Sequence, residues 1–110
     1  MSDMEDRFYK MDTVTHEITK ITFDEWCHIH DPDKYSIAWT GNEGRHISTI
    51  FLGLDHNWYG DDGGPILFES LIRGGEHDDE MTRYRTYNEA IEGHRQLVLM
   101  VFGYAMGETS

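Results

Sequence analysis

The run Ile47-Ser48-Thr49-Ile50-Phe51-Leu52-Gly53-Leu54 carries apolar side chains at both parities. Successive residues of a strand point to opposite faces, so Ile47, Thr49 and Phe51 share one side, and Ser48, Ile50, Leu52 and Leu54 share the other. A strand with apolar groups on both faces belongs in the middle of a sheet, not at its margin. The chain has 110 residues, enough for one modest core and too few for two. A single domain over 1–110, organised around this strand, is the expectation.

The element best suited to cover that sheet lies at the C-terminal end. Ala90, Ile91, His94, Leu97, Val98, Val101, Phe102 and Ala105 trace one stripe at helical spacing. Thr86 and Glu89 precede it with the spacing of a capping box, and Gly103 weakens it. The pattern predicts an amphipathic helix of about four turns, packed on the sheet. Thr22 and Glu25 repeat the capping spacing and predict a shorter helix from about Phe23 to His30, stopped before Pro32.

The remaining runs read as strands. "YSIAWT" and "RHISTIFLGL" flank "GNEG", whose Gly and Asn permit the positive backbone angles of a hairpin turn. "ILFESLIR" and "MTRYRTY" continue the meander after a Gly- and Asp-rich turn, "NWYGDDGGP". Residues 8–20 predict one or two short edge strands. The fold class is therefore α+β: a mainly antiparallel sheet of three to five strands, a short helix in the N-terminal half, and a long C-terminal helix on one face.

The formal net charge is -12, with 21 Asp and Glu against 9 Lys and Arg. Direct nucleic-acid binding rests on cations that displace phosphate counterions, so this charge argues against it. An acidic skin suits solubility, or docking on a basic protein partner. The N-terminus "MSDMEDRFYK" is acidic where a signal peptide is basic, and no apolar run approaches the length of a membrane span, so neither export nor a membrane role is expected. Cys27 is the lone cysteine and has no internal disulfide partner. A reducing, cytoplasmic setting follows, with Cys27 read as a buried structural thiol.

Four ionisable residues stand in apolar company: Asp55 and His56 at the end of the central strand, Glu69 within the next, and His94 on the helix stripe. A helix lying across the sheet would let them converge. Burying such groups is costly unless they are paired or used, and three uses are open. One is a structural network, with His94 bonded to a carbonyl or to Glu69 and Asp55 capping the following turn. The second is a pocket or active site in which His94 or His56 is a general base oriented by Asp55 or Glu69, and Arg83 meets a carboxylate or phosphate bidentately. The third is a metal site, but no HExxH or paired CxxC is present, and Asp55 and His56 point to opposite faces. No metal and no cofactor is therefore expected. The "HIHD" of residues 28–31 reads as a polar helix end, and "EHDDE" as a solvated loop.

Taken together, "ISTIFLGLDH", "GGPILFES" and "RYRTYNEAIEGH" resemble a group of small proteins encoded by tailed bacteriophages and prophages. That group carries STxFLGLDH, PxLFET and RYxTxxEAxxGH blocks. Ser70 stands where the group has Thr, and the turn is longer by "NWYGDD". By matching position, Asp55, His56, Glu69, Arg83, Tyr84, Thr86, Glu89 and His94 correspond to the group's polar signature. The resemblance implies a phage accessory protein in the host cytoplasm. Two partners are weighed: a host protein, and a second copy that covers the other sheet face.

Overall fold

The structure, a computed structural model, describes residues 7–29, 35–58, 60 and 62–103. Strands β1 (Tyr9–Met11) and β2 (Ile18–Lys20) come first, then helix α1 (Phe23–Ile29), strands β3 (Ser36–Asn42), β4 (Arg45–Phe51), β5 (Phe68–Arg73) and β6 (Met81–Tyr84), and helix α2 (Tyr87–Phe102). Strands β3 to β6 form one antiparallel meander in the order β3-β4-β5-β6. This is the α+β architecture read from the sequence, with 47–51 in an inner strand.

The β3–β4 turn closes on Glu43 and Gly44, both at positive φ (53° and 79°). Two such central residues match the right-handed twist of the flanking strands. The first is Glu43 rather than the expected Asn; Asn42 is the last residue of β3, paired with Arg45.

Helix α2 lies on the face formed by Ile47, Thr49, Phe51, Phe68, Ser70 and Ile72, each at most 1% exposed. Ile47, Ile72 and Val98 pack together at one end. Phe51, Phe68, Leu67 and Ala90 pack at the other with Tyr35 and Met11. Each fully buried large side chain here contributes about 1.5–3 kcal/mol, which makes α2 part of the core. Both predicted caps form. Thr86 accepts from Glu89 N at 3.0 Å while the Glu89 carboxylate accepts from Thr86 N at 3.0 Å, and Thr22 and Glu25 repeat the exchange on α1. Helix α2 stops at Gly103, whose φ of 76° is the left-handed cap. Its C-terminal dipole is met from outside the helix, by Arg45 Nη1 donating to Val101 O at 2.9 Å.

Two expectations are corrected. Residues 8–20 do not extend the main sheet; β1 and β2 pair with each other as a separate two-stranded sheet. That hairpin is tied to the end of β4 by Tyr9 N donating to Gly53 O and Asp55 N donating to Arg7 O. Cys27 is exposed, not buried. Helix α1 turns Trp26 inward against Phe8, with ring centroids 5.1 Å apart, and one helical step of about 100° carries the next residue to solvent. The end of "HIHD", His30 and Asp31, lies outside the described residues.

Candidate functional site

The candidate residues do not converge. Strand register explains why: Glu69 pairs with Ile50 and Arg83, whereas Thr49 pairs with Ser70 on the α2 side. Glu69 therefore points away from α2, where its Oε1 accepts from Arg83 Nε at 3.1 Å. This is a cross-strand ion pair on the outer face, with no contact to His94. The parity was visible in the sequence, since Glu69 shares it with Arg73 while Ser70 shares it with Phe68 and Ile72.

Asp55 organises backbone. Its Oδ1 accepts from Asn57 N at 2.7 Å and from Ile66 N at 2.9 Å, so one carboxylate holds both ends of the β4–β5 connection. Arg7 Nη1 lies 3.8 Å from Asp55 Oδ2, and its guanidinium carbon sits 4.5 Å from the Trp58 ring centroid. Asn57 is 8% exposed and donates to Gly64 O at 3.0 Å. His56 turns the other way, with Nδ1 2.7 Å from Leu54 O. The capping role weighed for Asp55 is the one its geometry serves.

His94 is fully buried, 0% exposed. Its Nδ1 lies 2.7 Å from Thr49 Oγ1 and its Nε2 lies 2.9 Å from Thr40 Oγ1. Thr49 Oγ1 is 2.6 Å from Ser70 Oγ, which accepts from Tyr84 Oη at 3.1 Å. A single line of hydrogen bonds thus runs from β6 through β5 and β4 into α2 and on to β3. The network is complete in an arrangement with the His94 proton on Nε2. Tyr84 donates to Ser70, Ser70 to Thr49, Thr49 to Nδ1, and the Nε2 proton to Thr40. With the proton on Nδ1 the same four bonds form, Thr49 accepting from Nδ1 and from Ser70 while Thr40 donates to Nε2, and in both arrangements the imidazole is neutral. Burial, with no carboxylate in that line, holds the His94 imidazole below its ordinary value.

Sequence reasoning missed Thr40, Thr49, Ser70 and Tyr84 as the partners of His94. The available signal was that Thr49 and Ser70 interrupt inward apolar runs, where a hydroxyl demands a bond. Comparison with known proteins finds no matching family model, no matching curated protein and no matching solved structure. Among the described residues, no three His, Cys, Asp or Glu side chains gather as a metal site. No helix among them is long and apolar enough to cross a membrane.

One cleft, about 380 Å³, lies away from all five candidates, between the β1–β2 turn and the start of α2. His16 stacks on Tyr87 at its wall, with ring centroids 3.8 Å apart. The capping box already occupies the Glu89 N–H, and Arg85 Nε donates to Gly64 O at 3.1 Å. The cleft joins hairpin to helix and offers little that would activate a substrate.

Proposed function

We propose that the chain is a small acidic accessory protein of phage origin that works in the host cytoplasm by binding a host protein, not by catalysis. The observation that supports this most is that the fold already engages the candidate residues Asp55, His56, Glu69, Arg83 and His94 in its own hydrogen bonds. A general base must reach a substrate proton, and His94 is closed off from solvent with both ring nitrogens bonded. Asp55 is occupied by two backbone amides, and Glu69 and Arg83 by each other.

What remains on the surface is charge. With a net charge of -12, the protein attracts basic surfaces over roughly a Debye length and repels nucleic acid. A host protein with a basic face is the partner this favours, including one whose groove ordinarily receives phosphates. Retention on the immobilised chain from host lysate tests it. A basic protein is expected to be held at low salt, released as salt rises, and absent from a charge-matched unfolded control. Equal retention on that control overturns the reading.

A structural homo-oligomer is the second reading. The outer face of the four-stranded sheet, which no other element among the described residues covers and where Trp39 is 62% and Met81 50% exposed, favours it.

A further inference from the structure

We infer that two copies of this chain meet through the outer faces of their four-stranded sheets, related by a two-fold axis along the strands between β4 and β5. The inference rests on the homo-oligomer reading and gives it a geometry. It starts from strand register. Trp39 pairs with Ser48, Ser48 with Leu71, and Leu71 with Met81, so these four side chains form one row across the face that α2 does not cover. The ends of the row are the exposed Trp39 and Met81, and its middle is half-buried.

The row is complementary to itself. The proposed axis sets β3 of one copy over β6 of the other and β4 over β5. Each Trp39 then faces Met81 of the second copy, and each Ser48 faces Leu71 of the second copy. A thioether against an indole is a favourable contact of an adaptable side chain with a rigid one, and the isologous arrangement makes it twice. Trp39 is already held for that role. It stacks on His46, with ring centroids 5.6 Å apart, and lies over Gly41, where a Cβ would collide with the indole.

Charge points the same way. Two copies of so acidic a chain repel one another, and contact needs a surface without bare carboxylates. Glu69 is the one Asp or Glu at an outward position of these strands, and Arg83 neutralises it. Aromatic, Met and Arg side chains with few carboxylates are the composition of interface cores. Four strands about 4.8 Å apart and about 20 Å long give roughly 400 Å² in projection per copy. With side-chain relief the pair buries on the order of 1,000 Å² in total, at the lower bound for a specific contact. A dissociation constant on the order of 10–100 μM is expected.

Sedimentation velocity on the full chain, from about 1 μM to about 1 mM, tests this. A monomer–dimer equilibrium is expected, tighter at about 150 mM salt than at about 20 mM because screening removes the mutual repulsion. That is the opposite salt response to host-protein capture, so the two readings fail separately. Trp39→Lys and Met81→Glu should each weaken the dimer by about tenfold or more, with circular dichroism unchanged. Mixing the two variants should restore a heterodimer, since the altered positions then face each other with opposite charge. A monomer throughout overturns both this inference and the homo-oligomer reading. A dimer indifferent to both substitutions overturns the face alone, and one lost with Trp39→Lys but kept with Met81→Glu overturns it in favour of pairing along the β3 edge.

Discussion

His94 is held as a neutral imidazole by four hydroxyls and no counter-ion along its hydrogen-bonded line, which makes it a stability residue with a defined pH signature. Its proton affinity is lowered in the folded chain, so below about pH 6.5 the unfolded chain takes up more protons than the folded one. Stability is therefore expected to be flat above that point and to fall as pH drops toward the depressed folded value. Urea midpoints for wild type and His94→Ala should show it, with the gap between them shrinking from about pH 7.5 to about pH 5.5. At the upper pH, His94→Ala should cost about 2–4 kcal/mol, because it opens a cavity and leaves Thr49 and Thr40 short of a partner. Gly93, one residue earlier, is constrained by close approach. A Cβ there would enter the Tyr84 ring, and Tyr84 is fixed by its bond to Ser70. Gly93→Ala gains about 1 kcal/mol of helix propensity against about 1–3 kcal/mol of overpacking. A lowered thermal midpoint is the expected balance.

At the level of elements, the β3–β4 turn holds a removable strain. Glu43 sits at a φ of 53° with its side chain exposed, a conformation that Asn tolerates better. Glu43→Asn should raise stability by about 0.5–1 kcal/mol in thermal or urea unfolding, with dimerisation unaltered. The turn also illustrates what the sequence makes legible. "GNEG" predicts a hairpin because few other structures tolerate it, yet which two residues take positive φ depends on strand register, and register is set by packing against α2. Capping boxes at Thr22 and Thr86 are readable because they are local, with both partners within three residues. That Glu69 and His94 do not meet was only half legible: the strand's parity puts Glu69 with Arg73, but which parity the helix covers is decided by packing between the two segments. Nothing within either segment alone states that. Cys27 failed for the same reason: α1 is short, and Trp26 decides which side of it turns inward.

For the molecule as a whole, the line from Tyr84 to Thr40 matters most. It crosses all four strands of the main sheet and passes through α2, spanning three strand spacings, about 14 Å. Tyr84→Phe removes the first donor while keeping the ring. Each remaining hydroxyl keeps the acceptor it donates to, so none has to reorient; only the Ser70 oxygen loses a donor, and amide resonances of β5 and β6 should shift while that of Thr40 at the far margin stays. A shift at Thr40 would instead show that the hydroxyls along the line reorient together. A protein wired in this way has few soft margins: neither the helix nor an outer strand can peel off without breaking the same polar thread, so this part of the chain should melt in one step, and the N-terminal ribbon, whose Met11 is buried in the same core, should go with it.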